Sequence, residues 1–494
     1  MHSTDWAVAA AYILAVVAIG TLLGRKQEGA SDYFLGKHSL PWWAVLVSVV
    51  ATETSALTVI SIPGIGFRGN LTFLQLAIGY LIGRVFVAWL LLPGYFAGQV
   101  QTAYETLGTR WGDQARRTAS AIFMITRALA TAVRLFAGAI PLAAITGWSY
   151  PTAIVAVGAA TVIYTYVGGI RAVVWVDVIQ WSVYVIAGIA TLFAALHLAP
   201  GAIDAAHAAG KLRVFDWSLS LTNPYAFGTA IIGGAFLSAA SHGTDHLIVQ
   251  RLLATRSLKD ARAALVGSGI VVFFEFALFL LVGAVLWTAF PEGQSLGSGD
   301  AVFPAFVVNH LSGGLAGLVV AGILAAAMGS TASALNSLAS ATTHDYYGPL
   351  TGITDDARLL RVGRVATLIW AVVLVVGALL FISGRDTPVV VVALSIASLT
   401  YGALLGAFVL ARFARVRQRD AVAALVGGSA VMAVVVFAGR LAPLFGHPAV
   451  LDALAKLAWP WYVPMGLVIT MGIGMAASAM RGTEALRHRG TEKT

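Results

Sequence analysis

Between Trp42 and Arg68 the chain reads WWAVLVSVVATETSALTVISIPGIGFR, a stretch of membrane-spanning length with polar residues at its centre. Thr52, Glu53, Thr54, Ser55 and Thr58 stand where a spanning helix would carry Leu, Val or Phe, and Pro63, Gly64 and Gly66 follow. A carboxylate at bilayer depth costs roughly 2.5–3.5 kcal/mol, so Glu53 must face protein, water or an ion. The pattern fits a helix with one opened turn, the device by which membrane carriers build midplane binding sites. It also fits a kinked helix whose polar face is satisfied by packing, and both readings stand at this point.

The rest of the chain agrees with a membrane setting. Of 494 residues, 59% are hydrophobic and 11% charged, against about 25% charged in water-soluble domains. Cysteine is absent, which excludes disulfides, thiolate metal sites and cysteine nucleophiles. Apolar runs of about twenty residues mark about thirteen spans, at 5–24, 42–68, 72–98, 116–147, 150–168, 172–199, 223–254, 260–290, 312–343, 361–383, 387–411, 420–439 and 458–480. The first lacks the basic start and cleavage-like ending of a signal peptide and is read as a helix of the bundle. With the N-terminus outside, inner segments hold Arg25, Lys26, Lys37, Arg110, Arg116, Arg117, Arg171, Arg251, Arg256, Lys259, Arg262 and the arginines between 358 and 364 and between 412 and 419. Arg481, Arg487, Arg489 and Lys493 are inside as well, whereas outer segments hold Arg68, Lys211, Arg213, Arg385, Arg440 and Lys456. That asymmetry places the C-terminus in the cytoplasm, and it accounts for the net charge of +9 without a nucleic-acid partner.

A second polar break is expected in 223–254, around Ser238, Ser241, His242, Gly243, Thr244, Asp245 and His246. The two breaks lie five spans apart, so 42–199 and 223–411 read as five-helix halves of inverted topology. Residues 5–24 form an extra first helix, 420–480 two C-terminal helices and 481–494 a cytoplasmic tail. The outer loop near 200–222 is too short to fold alone. A third cluster, AGILAAAMGSTASALNSLASATTHDY at 321–346, sets Ser330, Ser333 and Ser337 along one helical stripe. Small residues there serve close helix packing, and the hydroxyls opposite an opened helix also suit a hard monovalent cation.

Four segments together resemble the sodium/solute symporters, the family of sodium-coupled sugar, proline, iodide and sialic-acid transporters. They are SVVATETSALTVISIPG, YVGGIRAVVWVDVIQ, HGTDHLIVQRLLATRSLKDA and AAAMGSTASALNSLASATTHDYY. The resemblance covers nearly the whole chain and implies an all-α, LeuT-like fold of inverted five-helix repeats. It implies Na⁺ held by the carbonyls of Ala51, Thr54 and Ala326 and the hydroxyl of Ser330. The family offers two adjacent hydroxyl residues there, and this chain has Gly329 at the first. A second Na⁺ in some members would map to Asp177 and Ser333, with Gly329 and Ala332 leaving that set incomplete; Asp177 is equally readable as a cap or a partner of Arg171.

Solute residues transfer less well. Candidates are Glu53, Ser55, Thr58, Gln75, Arg134, Ser238, Ser241 and His242. Thr58 replaces a glutamine of the sugar-transporting members, and Ser241 and His242 replace their aromatic pair, which argues for a smaller or more polar solute. Sialic-acid-type members bind a carboxylate through an arginine in the fourth span. Arg127 and Arg134 both lie there, and Arg134 is preferred because Ala137, Gly138 and Ala139 would leave room beside it. Glu53 is open to three roles: holding an ammonium, taking part in cation coupling, or pairing with Arg134. Arg84 is expected to snorkel or to meet backbone, and Glu275 has no motif support.

The implied function is symport of Na⁺ with a small polar solute, a sugar, an organic acid or an amino-acid-like molecule, by a monomer in a bacterial inner membrane. Proton coupling through Glu53 is the alternative. An intramembrane enzyme lacks any nucleophile elbow, HExxH or phosphate loop, and a sensor lacks an output domain.

Overall fold

The computed structural model describes residues 3–23, 27–311, 313–381, 389–413 and 416–491. Arg25, Lys26, Arg385, Arg415 and Lys493 of the charge pattern fall outside the described residues, as do 492–494 of the expected tail and the span ends at 24, 312, 382–383 and 387–388. Among the described residues the backbone is helical, with one isolated bridge between Leu40 and Thr255 in place of a sheet.

The principal helices are α1 (Ser3–Leu23), α2 (Trp42–Glu53), α3 (Ala56–Arg68), α4 (Leu74–Leu90), α5 (Asp113–Thr146), α6 (Tyr150–Leu198), α7 (Phe227–Gly243) and α8 (His246–Leu253). They continue with α9 (Leu258–Ala289), α10 (Leu315–Ala341), α11 (Asp356–Leu380), α12 (Val389–Phe413), α13 (Gln418–Val436) and α14 (Tyr462–Thr491). Among the described residues, nine helical segments are singly long and apolar enough to cross a bilayer, and the bent pair α2 and α3 makes ten. Reaching about thirteen spans requires counting α6 twice and adding α12 and the pair α7 and α8, whose pieces are individually short.

Helix α6 shows why. Its 49 residues would extend roughly 74 Å at 1.5 Å per residue, more than twice the ~30 Å hydrocarbon core. Gly169 interrupts it with φ 54° and ψ −156°. A β-carbon there would lie 2.5 Å from the Tyr33 carbonyl oxygen, so both conformation and space demand glycine. The helix is therefore broken at Gly169 into two pieces, each of membrane-spanning length.

The packing pairs the two halves reciprocally. The broken pair α2 and α3 lies against α9, the second helix of the other half; the broken pair α7 and α8 lies, through α7, against α4, the second helix of the first half. These contacts are backbone-close: a β-carbon on Gly66 would meet the Leu280 carbonyl at 2.2 Å, and one on Gly83 the Ala235 carbonyl at 2.2 Å. Small residues permit such approach where no hydrophobic effect drives helices together. Helix α10 packs most extensively on α6, and α1 lies across both. Every residue of α10 from Val319 to Ala341 is buried, its hydroxyl stripe included.

Candidate functional site

The first break forms at Thr54 (φ −74°, ψ 111°) and Ser55 (φ −109°, ψ 172°), both extended, and α2 and α3 are bent by 64°. Local hydrogen bonding leaves specific carbonyls open. The Ser55 N–H, which a continuous helix would give to Ala51, goes to Thr58 Oγ1 at 3.3 Å. The Thr58 N–H, which would reach Thr54, goes to the Ser55 carbonyl at 2.9 Å. The Ala51 and Thr54 carbonyls thus lose their intrahelical donors, and a buried carbonyl needs a partner. Helix α10 faces this turn: a β-carbon on Gly138 of α5 would stand 2.5 Å from Ala327 Cβ and 3.7 Å from Ala56 Cβ, so one point of α5 touches both elements. Ser330 is buried there, with Oγ donating to the carbonyls of Ala326 (3.0 Å) and Ala327 (3.1 Å). Ala51, Thr54, Ala326 and Ser330 thus carry oxygens of the type a hard cation takes, on α2, the turn and α10, elements that pack against one another.

The second break, at Thr244 and Asp245, is closed by protein. Tyr95 Oη donates to the Gly243 carbonyl, and Tyr104 Oη donates to the Thr244 carbonyl at 3.0 Å. Asp245 caps α8, accepting from the Leu247 N–H at 3.0 Å. The two breaks are alike in position but not in chemistry, because only the first keeps its carbonyls clear of side-chain donors.

Three buried arginines have carboxylate partners. Arg84 Nη2 donates to Glu53 Oε2, and Arg84 Nη1 to Ser268 Oγ at 2.5 Å. This corrects two expectations at once, since Arg84 neither snorkels nor meets backbone, and Glu53 is not bonded to Arg134. His242 Nε2 lies 3.5 Å from the same Glu53 oxygen, while its Nδ1 is 2.8 Å from Ser241 Oγ and 3.4 Å from Ser238 Oγ. Glu53 thereby joins the two broken helices. Arg127 Nη2 donates to Asp245 Oδ2 and to Tyr401 Oη (2.8 Å), and Tyr401 in turn donates to Asp245 (2.8 Å).

Arg251 is the third. Its Nη2 lies 3.3 Å from Asp177 Oδ2 and also donates to Ser333 Oγ, while Nε donates to Ser48 Oγ at 2.9 Å. The positive charge expected between Asp177 and Ser333 from a second ion is supplied by this guanidinium. Arg171, the other expected partner of Asp177, pairs instead with Asp32 at 3.1 Å.

Arg134 differs. Among the described residues it has no hydrogen bond or ion pair, it is partly exposed, and it stands within electrostatic range of Glu53, Arg127 and Tyr401. It is one helical turn from Gly138. The small residues after it do not leave room, as expected from sequence; Gly138 is the point where α5 closes on α10. Gln75 also departs from its expected place. Its Nε2 donates to the carbonyls of Tyr225 (2.7 Å) and Thr72 (3.3 Å), and its Oε1 accepts from the Asp216 N–H (3.3 Å), so it ties the loop before α7 to α4.

An acid and an amide on neighbouring helices were given no role by any sequence pattern. Glu275 of α9 is buried and accepts on both oxygens, from Thr54 Oγ1 and from Trp181 Nε1 at 3.1 Å. Only its position in an apolar run marked it out. Gln180, buried on α6 beside Gly329, closes the segment YVGGIRAVVWVDVIQ but was assigned no role.

The sodium:solute symporter family model matches residues 33–428. A sodium/sialic acid symporter, NanT of Aliivibrio fischeri, is 28% identical over 441 residues, 86% of each chain. Sodium-coupled monocarboxylate transporter 2 of Bos taurus is 25% identical over 86% of this chain and 71% of its own length. The solved substrate-bound, outward-open state of a Na⁺-coupled sialic acid symporter superposes with a TM-score of 0.84, covering 97% of this chain and 98% of that one at 24% identity. That likeness establishes the shared LeuT-like helical fold. With the family model spanning most of its length, this multi-pass chain belongs to the sodium:solute symporter family.

Proposed function

We propose that this chain couples Na⁺ entry to uptake of a small organic carboxylate, with Arg134 receiving the carboxylate. The observation that carries this reading is that Arg84, Arg127 and Arg251 each face a protein carboxylate, whereas Arg134, among the described residues, does not. An unanswered guanidinium at bilayer depth is costly unless a ligand completes it, and its planar fork matches a carboxylate. Glu53, answered by Arg84, is not left to bind an ammonium or to carry the coupling ion, which favours an anion over a zwitterion and Na⁺ over H⁺. The relatives named for sialic acid and for monocarboxylates carry acids, in line with this choice.

Na⁺ enters as co-substrate at the Ala51, Thr54 and Ala326 carbonyls and the Ser330 hydroxyl. It fastens the first break to α10 one turn from Arg134, so the ion and the solute favour the same conformer. Each then raises the affinity for the other by the same factor. Ser55, Thr58, Ser238, Ser241 and His242 complete the polar surroundings, and rocking of one helix group against the other exposes the site inwards. The reading includes a monomer in a bacterial inner membrane with its N-terminus outside, transport rather than catalysis, and 42–199 and 223–411 as the repeats.

The test is thermal stabilisation of the purified chain by pyruvate, sialic acid or glucose, in NaCl or choline chloride. A carboxylate that stabilises only with Na⁺, and about tenfold or more weaker in Arg134→Gln as expected for a charge-assisted bond, supports the reading. Stabilisation by glucose alone, or a carboxylate response unchanged in Arg134→Gln, overturns it.

A further inference from the structure

On the second half of α6, Asp177, Gln180 and Tyr184 are spaced i, i+3 and i+7, one face of a helix. All three are buried, and each has polar atoms without a hydrogen-bond partner: Asp177 Oδ1, both Gln180 amide atoms and Tyr184 Oη. Buried polar groups are rarely left so. The four atoms lie on the face turned to α10, the helix on which α6 packs most extensively.

The residue opposite is Gly329. A β-carbon built on it would stand 2.5 Å from Gln180 Oε1 and 3.2 Å from Asp177 Oδ1. The volume that a serine side chain would fill is thus held by the carboxamide oxygen of Gln180. The Tyr12 and Tyr164 hydroxyls flank that carboxamide, and Tyr164 Oη donates to the Met328 carbonyl at 3.3 Å. Gly329 precedes Ser330 and follows Ala326 by three residues, so Gln180 meets α10 next to the two residues that α10 gives to the cation set, and α2, which carries the open Ala51 carbonyl, packs on both α6 and α10.

We propose that Gln180 Oε1 replaces the hydroxyl that residue 329 lacks and completes the coordination of Na⁺ by Ala51, Thr54, Ala326 and Ser330. An amide oxygen is a neutral, hard ligand of the same kind as the backbone carbonyls already present. It adds a ligand without adding charge, whereas Asp177 has its second oxygen committed to Ser48 at 2.5 Å and to Arg251. The inference rests on the Na⁺-symport reading and adds to it a residue from a helix outside the expected ligand set.

The experiment is a Na⁺ titration of thermal stability on the full-length purified chain, at constant ionic strength with choline as the balancing cation. Four proteins are compared: the natural chain, Gln180→Met, Gly329→Ser, and Gln180→Ala combined with Gly329→Ser. Methionine keeps the volume of Gln180 and removes its oxygen, so its Na⁺ midpoint is expected to rise about tenfold, the loss of roughly one good ligand bond. Gly329→Ser alone drives a side chain against Gln180 and is expected to weaken Na⁺ binding as well. The double variant vacates that space for the new hydroxyl and is expected to return to within about threefold of the natural midpoint, inside ordinary mutational scatter. Rescue of this kind does not follow from a merely structural role for Gln180, and it keeps the test decisive if Gln180→Met fails to fold. A natural midpoint in Gln180→Met, or a double variant weaker than Gln180→Met, overturns the proposal while leaving Na⁺ symport intact. A natural chain that gains no stability from Na⁺ overturns both.

Discussion

Replacing Arg84 by methionine should be among the more damaging single changes in the molecule, and removing Glu53 as well should undo most of the damage. Arg84 is fully buried, and the Glu53 side chain retains 17% of its exposure. Loss of the guanidinium leaves the carboxylate facing His242 at 3.5 Å and takes from Ser268 Oγ the donor it accepts from at 2.5 Å, leaving it only its own bond to the Leu265 carbonyl at 2.6 Å. Breaking a buried pair costs about 3–5 kcal/mol, and the residual exposure of Glu53 argues for the lower end, about 3 kcal/mol, or roughly two powers of ten in the unfolded population. In the double variant Arg84→Met with Glu53→Gln, an apolar stem and a neutral amide replace the pair, and such replacements are commonly near neutral. The coupling between the two positions should therefore exceed about 2 kcal/mol. Reversible unfolding in mixed detergent micelles, followed by tryptophan fluorescence, measures all four corners of the cycle. Additive losses, with the double variant worse than either single one, would refute the reasoning and imply that each side chain is held by other contacts.

Other expectations follow from the same coordinates. Gly169→Ala forces a side chain into φ 54° and against the Tyr33 carbonyl; a loss of about 2 kcal/mol or more is expected, read as a lower denaturation midpoint. Arg127→Gln should lower stability, because Asp245 caps α8 and would lose its charge partner, yet carboxylate affinity should stay within about threefold, the reverse of Arg134→Gln. The chain has no cysteine, so topology can be read from single introduced thiols: Leu219→Cys, 98% exposed, should react with an impermeant maleimide in intact cells, and Thr351→Cys only after permeabilisation.

The breaks were legible because the signal is local. Hydroxyls, charged residues and glycine inside apolar runs point to interruptions within 52–58 and within 238–246, and the backbone opens at Thr54 and Thr244. The partners of the charges were not legible. Glu53 and Arg84, Asp177 and Arg251, and Thr54 and Glu275 meet through helix crossings whose angle and depth depend on glycine contacts spread over several elements. Motif matching placed Asp177 beside a second ion, and it had no means of placing Arg251, more than seventy residues later, against the same carboxylate. Gln75 failed for a related reason, since its partners are backbone groups of Thr72, Asp216 and Tyr225, and backbone groups leave no trace in residue identity. The reading of Ala137, Gly138 and Ala139 as room for a solute ignored that small residues in a bundle more often let helices touch.

Glu275 carries the last prediction, because it is the counterpart of Arg134. Once the three ion pairs are set aside, the first break is flanked by an arginine on α5 that has no carboxylate partner among the described residues and by a carboxylate on α9 whose two oxygens accept from neutral groups, Thr54 and Trp181. A cation and an anion entering together answer both, and neither entering alone does so. Coordination by carbonyls and a hydroxyl is uncharged, so a carboxylate touching Thr54 supplies the long-range attraction that the ligand set lacks. Glu275→Gln preserves the shape and can still accept from Thr54 or Trp181, and it should raise the Na⁺ midpoint by about tenfold, near 1.4 kcal/mol, while leaving Na⁺ dependent uptake measurable. If coupling is shared as argued, the carboxylate midpoint at fixed, subsaturating Na⁺ rises with it, and saturating Na⁺ restores it. A Glu275→Gln protein with an unchanged Na⁺ midpoint would confine the residue to anchoring Thr54, and the balance of one open charge against the other would no longer explain why this site takes an ion and an acid together.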